Sequence, residues 1–152
     1  MLDSSKTRWL YYWLPPFLWM AMIFYFSTDN FSGESTGSYV EMILKLFYPS
    51  AGRELIDWIH FLIRKGAHFT EYAILVTLYY RAFRGDSASR WDPGWAVYSL
   101  VAVAVYAVLD EFHQTFTSHR VGSIYDSMID FSGALSAMIV IRALSYKNSR
   151  SD

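Results

Sequence analysis

The residues of this chain that are able to do chemistry lie in three short clusters, and the first is at the start of an apolar segment. Lys65, His68 and Tyr72 stand at positions i, i+3 and i+7, so a cation, an imidazole and a phenol share one helical face. Glu71 follows His68 by three residues. Such a set can bind an anion, transfer a proton or pair with charges on another helix. For Lys65 the structural alternative is a long side chain that extends to the membrane surface.

The second cluster is a pair of adjacent carboxylates at the end of another apolar run. Asp110 and Glu111 follow a long uncharged stretch, and Gln114 shares a helical face with Asp110. A helix end exposed to solvent is the alternative interpretation, chiefly for Glu111. Asp110 lies deeper in the apolar run and is harder to explain in that way.

The third cluster opens the last apolar segment of the chain. Asp126 and Asp130 stand at i and i+4, and Gly133 extends the same face, where a small residue lets another helix approach closely. Arg120 lies in the preceding loop. It either neutralises Asp126 or uses its planar guanidinium group to bind an anion such as phosphate or carboxylate.

The elements that position these clusters are apolar segments of membrane-spanning length. A hydrocarbon core of about 30 Å needs roughly 20 helical residues. Segments of this kind cover residues 9–27, 61–83, 95–116 and 124–144. Amphipathic patterns at 39–48 and 55–63 favour helices that rest on the membrane surface. We therefore predict an all-α fold in a single domain over residues 1–152. It is an integral membrane bundle of four transmembrane helices, with a short amphipathic extracytoplasmic helical segment between the first and second.

Composition excludes several classes of function. The formal net charge of -1 argues against a nucleic-acid-binding protein, which needs a strongly basic surface. The chain has no cysteine, so disulfides, thiolate metal sites and cysteine nucleophiles are excluded. A mean hydropathy of +0.15 also suits an aromatic-rich soluble domain, but the charges concentrate at segment ends and leave continuous apolar blocks.

The distribution of basic residues predicts the orientation. Lys and Arg are more numerous in the flanks on the side of both termini, and cytoplasmic flanks are enriched in these residues. Both termini are therefore expected in the cytoplasm, and all three clusters at the outer surface. An ionisable group at membrane depth costs about 2.5–3.5 kcal/mol on insertion scales, so this convergence predicts a functional pocket. The predicted ligand-binding residues are Lys65, His68, Glu71, Tyr72, Asp110, Glu111, Gln114, Arg120, Asp126 and Asp130.

The polar pattern as a whole resembles that of the VanZ-like family of bacterial membrane proteins. The similarity rests on Lys65-x-x-His68-x-x-x-Tyr72, Asp110-Glu111-x-x-Gln114, Arg120, Asp126 and Gly133, and on Ser27 at the end of the first span. Asp130 departs from the family, in which asparagine is common, and adds a negative charge. The resemblance implies a multi-pass protein of the bacterial cytoplasmic membrane and cell envelope.

The family's named member is associated with low-level resistance to the glycopeptide teicoplanin. A link to glycopeptide resistance is therefore an expectation from the resemblance alone. It does not define the physiological role of this chain, because one fold serves several functions.

Three hypotheses for function remain open. The leading one is a membrane protein that binds an anionic, lipid-linked ligand, such as an envelope precursor, through Lys65 and Arg120. The second is an intramembrane enzyme acting on a lipid phosphate, with His68 as base or nucleophile and Asp110 or Glu111 orienting it. The third is a structural or regulatory membrane partner in which the charges only hold helices together. Membrane lipids are the expected surroundings, and no nucleic acid is expected.

A metal site is a further alternative. His68-x-x-Glu71 and Asp110-x-x-His113 each place an imidazole and a carboxylate one turn apart, as in helical metal sites. Salt bridges or a proton relay explain these pairs equally well. We therefore predict no metal and no cofactor.

Overall fold

The protein is all-helical wherever its structure is described. The computed structural model describes residues 4–28, 33–116 and 124–148, and no strand occurs among them. The five helices in these ranges are α1 (Ser4–Phe26), α2 (Gly33–Phe47), α3 (Arg53–Arg84), α4 (Pro93–Gln114) and α5 (Ile124–Asn148). The predicted all-α class is confirmed.

Helix α3 is the centre of the bundle. Its 32 residues extend about 48 Å at 1.5 Å per residue, and it contacts each of the other four helices, α5 most extensively. Tyr72, Leu75 and Val76 of α3 are fully buried against Val103 of α4 and Ala134 of α5. This apolar core fixes the depth of every polar group that α3 carries.

The predicted surface segment is only partly correct. Residues 39–48 lie largely in α2, but residues 55–63 are the first turns of α3 and do not form a helix of their own. The physical reason is that residues 53–84 contain no proline and a single glycine, Gly66. Nothing in the sequence therefore ends a helix near residue 63.

The connection between α3 and α4 is short because both helix ends are locally capped. Gly85 follows α3 with a φ of +54°, a conformation that suits glycine, and its N–H donates to the Arg81 carbonyl (3.1 Å). The Asp92 side chain accepts hydrogen bonds from the N–H groups of Gly94 (2.7 Å) and Trp95 (3.2 Å). These caps define where α3 ends and where α4 begins.

Two of the described helices are long and apolar enough to cross a membrane. They are Pro93–Gln114 and Ile124–Lys147, which correspond to the predicted spans 95–116 and 124–144. The apolar side chains Val97, Val101, Val105, Val108 and Leu109 are each more than half exposed on α4. A helix of a soluble domain buries such a stripe, so these surfaces indicate a membrane protein.

The other two predicted spans also fall within helices. Residues 9–27 lie almost entirely in α1, which continues through Pro15 and Pro16, and residues 61–83 lie in α3. Neither helix is as clearly of membrane-spanning composition as α4 and α5, since α1 contains two prolines and many Trp and Tyr residues and α3 carries several charges.

Candidate functional site

Polar side chains are buried together at the end of the bundle where α1 and α4 end and α5 begins. We call this group the polar cluster. Its members are Ser27, Lys65, His68, Tyr72, Asp110, Glu111, Gln114, Asp126 and Asp130. Burying so many polar groups requires partners for them, and most partners come from a neighbouring helix.

Two charged contacts join α3 to α5. The Lys65 ammonium group donates to Asp126 Oδ1, and His68 Nδ1 lies 3.0 Å from Asp130 Oδ1. Asp130 is completely buried. Because both residues of the second contact lie about one turn beyond those of the first, the two contacts are stacked along the helix interface.

Gly133 permits this close pairing. A Cβ atom at Gly133 would lie 2.1 Å from the backbone carbonyl oxygen of Phe69, far inside van der Waals contact. The predicted role of Gly133 in close helix approach is thus confirmed. It lies one turn from Asp130, so the tight crossing and the His68–Asp130 contact belong to the same part of the interface.

Hydrogen bonds bring α4 and α1 to the same end. Asp110 Oδ2 accepts from Gln114 Nε2 (3.1 Å) and from the Tyr72 hydroxyl (3.4 Å). Gln114 Nε2 also donates to Ser27 Oγ at 3.5 Å. The predicted shared face of Asp110 and Gln114 therefore connects three helices.

The deepest part of the polar cluster is rich in carboxylates. His68, Glu111 and Asp130 each offer one nitrogen or oxygen atom, and these three atoms lie within 4.8 Å of one another. Among the described residues, Asp110 Oδ1 and Asp130 Oδ2 have no hydrogen-bond partner. A buried carboxylate oxygen without a partner is unfavourable, which marks this place as one where a ligand or a proton would be stabilising.

A cavity of about 300 Å³ lies beside the polar cluster, between α1, α2 and α3. Four charged or titratable residues of α3 form its polar wall at successive turns: His60, Arg64, His68 and Glu71. The other lining residues are Phe26, Ser27, Thr36, Val40, Ile63 and Ala67. The cavity is therefore amphipathic, and His68 belongs both to it and to the polar cluster.

Helix α2 covers this cavity through contacts with the start of α3. Thr36 Oγ1 lies 2.9 Å from His60 Nε2, and Arg53 pairs with Glu41 at 3.6 Å. Burial lowers the pKa of the His60 imidazole below its usual value, and the nearby Arg64 charge lowers it further. Because the His60 pKa is lowered, neutral pH favours the uncharged imidazole.

The pKa of Glu41, on α2, is also below its usual value. Its carboxylate accepts a hydrogen bond from Lys45 at 2.6 Å, and the charge of Lys45 lowers the pKa further. Glu41 therefore keeps its negative charge toward Arg53 in mildly acidic solution.

The structure brings nearly all predicted site residues together but changes one pairing. Asp126 pairs with Lys65, and the Arg120–Asp126 pairing stays a prediction because Arg120 lies outside the described residues. The hydrogen-bond partner of His68 Nδ1 is Asp130, whereas the sequence suggested Asp110 or Glu111. Glu71 lies on the cavity wall rather than in the deepest part of the cluster.

Sequence reasoning missed the three polar residues Thr36, His60 and Arg64 that line the cavity. A signal for two of them exists in the sequence. His60 and Arg64 precede His68 by eight and four residues, which is one face of an uninterrupted helix.

Comparison with known proteins gives one match. A family model described as VanZ/LLP1 matches residues 12–145, which is most of the chain. No curated protein and no solved structure matches the chain.

Proposed function

The chain belongs to the VanZ/LLP1 family, and we propose that it is a four-span membrane protein of the cell envelope that binds an anionic, lipid-linked ligand in the α1–α2–α3 cavity. In this arrangement α1, α3, α4 and α5 cross the membrane, both termini lie in the cytoplasm, and α2 rests on the outer surface. The polar cluster and the cavity then lie near the outer leaflet.

The amphipathic cavity is the observation that carries this proposal. Its volume of about 300 Å³ accommodates a headgroup with the first part of an attached chain. Arg64, two imidazoles and the Glu71 carboxylate of α3 form one wall, while Phe26, Val40 and Ile63 supply an apolar surface. A ligand with a charged head and an apolar tail matches both walls.

Arg64 is the residue best placed to attract the anion. Lys65 already pairs with Asp126, whereas no described carboxylate forms an ion pair with Arg64. A guanidinium group binds phosphate or carboxylate through two parallel hydrogen bonds. We therefore assign the attraction of the anion to Arg64 instead of Lys65. The contribution of Arg120 stays a prediction.

A binding experiment tests the proposal. The full chain, purified in a mild detergent, is mixed with phosphatidic acid or phosphatidylcholine, and bound lipid is quantified by native mass spectrometry. We expect wild type to retain phosphatidic acid at least tenfold better than Arg64→Gln does. Arg84→Gln is the matched control, because it removes an exposed arginine from the opposite end of α3.

Two results would contradict the proposal. One is equal retention of both lipids by the wild type. The other is equal loss of phosphatidic acid in the Arg64 and Arg84 variants, which would reflect general surface charge. If the wild type instead releases inorganic phosphate and a neutral lipid, water has replaced the lipid oxygen on phosphorus and the enzyme hypothesis applies. His68→Ala should then abolish release.

A further inference from the structure

Three helices converge to place an imidazole and two carboxylates around one point. His68 comes from α3, Glu111 from α4 and Asp130 from α5, with relative exposures of 8%, 6% and 0%. Their nearest nitrogen and oxygen atoms all lie within 4.8 Å of one another. Metal ligands bound at about 2.0–2.2 Å are themselves roughly 3–4 Å apart, so small side-chain movements bring all three atoms to metal-binding distance.

Asp130 supplies independent support for a ligand at this point. Its side chain is completely buried, and its Oδ2 atom has no hydrogen-bond partner among the described residues. The Oδ1 atom of the same carboxylate already faces His68 at 3.0 Å. A cation between these groups would use the second oxygen, which otherwise stays buried at a free-energy cost.

The charge balance of the polar cluster also favours a cation. Lys65 is bound to Asp126, so among the described residues His68 is the remaining basic member of the cluster. It shares the interior with three buried carboxylates, Asp110, Glu111 and Asp130. Carboxylates in a low-dielectric interior are stabilised by a compensating positive charge, and a divalent ion supplies two charges in a small volume.

We propose that His68, Glu111 and Asp130 bind one divalent cation of the Zn²⁺ or Mn²⁺ type. Imidazole and carboxylate ligands suit Zn²⁺, a carboxylate-rich set also suits Mn²⁺, and three protein ligands leave coordination positions open. Because His68 also lines the cavity, the ion lies at the cavity's inner edge. The metal site requires only that the three helices meet at this point. It is therefore independent of whether a lipid occupies the cavity.

Calorimetric titration with the metal alone tests this site. The full chain in detergent is treated with a chelator, desalted and titrated at pH 7 with Zn²⁺ and separately with Mn²⁺. We expect one equivalent of Zn²⁺ or Mn²⁺ to bind the wild type and at least a tenfold loss of affinity in Asp130→Asn and Glu111→Gln. The matched control is Glu54→Gln, which removes an exposed carboxylate from the start of α3, outside the polar cluster. It should bind one equivalent as the wild type does.

Two further measurements on the same samples guard against variants that do not fold. The metal should raise the thermal unfolding midpoint of the wild type and of the control, but not of the Asp130 or Glu111 variants. X-ray absorption of the Zn²⁺-loaded wild type should show a single imidazole among oxygen ligands. The proposal is overturned if the wild type binds neither metal, if the absorption spectrum shows no imidazole, or if folded Asp130 and Glu111 variants bind as tightly as wild type.

Discussion

Gly133 determines whether the charged contacts between α3 and α5 can form. An alanine Cβ at this position would be 2.1 Å from the Phe69 carbonyl oxygen, a backbone atom that cannot move without shifting α3. We predict that Gly133→Ala destabilises the protein by about 1–3 kcal/mol or more, the usual cost of overpacking. A lower thermal unfolding midpoint in detergent would be the measured effect.

Gly66 provides the matched control for this prediction. It lies in the middle of α3, and a Cβ atom there would meet nothing within 4 Å. Gly66→Ala should therefore be neutral or stabilise the helix by about 0.5–1 kcal/mol. Equal midpoints for the two alanine variants would show that the close approach at Gly133 has no energetic importance.

At the residue scale, the sequence predicts positions within a helix better than pairings between helices. Periodicity correctly places Asp110 and Gln114 on one face, because that relation depends only on the 3.6-residue turn. The Lys65–Asp126 pair depends instead on how α3 and α5 are rotated and how deeply each is set. No spacing within one helix contains that information, so the sequence did not predict this pair.

At the scale of elements, the continuity of α3 is the main feature that the sequence patterns concealed. An amphipathic stretch at 55–63 and an apolar span at 61–83 suggest two helices, yet the chain contains no residue that ends the first. If the chain is divided into two helices at that point, His60 falls in the first helix and Arg64 and His68 fall in the second. In the uninterrupted helix these residues form one polar face along the cavity, and that face was therefore missed.

The docking of α2 onto α3 should weaken in mildly acidic solution. The pKa of His60 in the folded protein is lowered by burial and by Arg64, while Asp57 acts in the opposite direction. An undocked chain therefore takes up a proton more readily, so stability is lost as pH falls below the ordinary His value of about 6.5. The backbone amides of α2 should exchange faster at pH 5 than at pH 7, after correction for intrinsic rates, in hydrogen exchange followed by mass spectrometry.

His60→Gln is the control for this pH effect, since glutamine can still hydrogen-bond to Thr36 but does not titrate. The other contact between α2 and α3, the Arg53–Glu41 pair, should persist at pH 5 because Lys45 lowers the pKa of Glu41. In the His60→Gln variant, the protection of α2 amides against hydrogen exchange should therefore not depend on pH. The same acid-dependent loss in wild type and variant would exclude His60 as its cause.

At the scale of the whole molecule, the distribution of polarity is opposite to that of a soluble domain. Large apolar side chains such as Leu18, Val108 and Ile139 are about 60% exposed, while Asp110 and Asp130 are buried. The long uncharged segments of the sequence made the apolar exterior predictable, because only lipid stabilises a surface of that kind. The position of the polar groups at one end was also predictable, since each charged cluster stands at an end of an apolar segment.

The orientation predicted from the distribution of basic residues is tested by chemical labelling. The chain has no cysteine, so Ser50→Cys and Ala88→Cys each introduce a single thiol at an exposed position outside the helices. With both termini in the cytoplasm, Ser50 lies outside, near the cavity-covering helix α2, and Ala88 lies inside. In intact cells a membrane-impermeant maleimide should label the Ser50 variant alone, and both variants after lysis. Labelling of the Ala88 variant alone would place the cavity and the polar cluster at the cytoplasmic face, where the ligand would have to come from the inner leaflet.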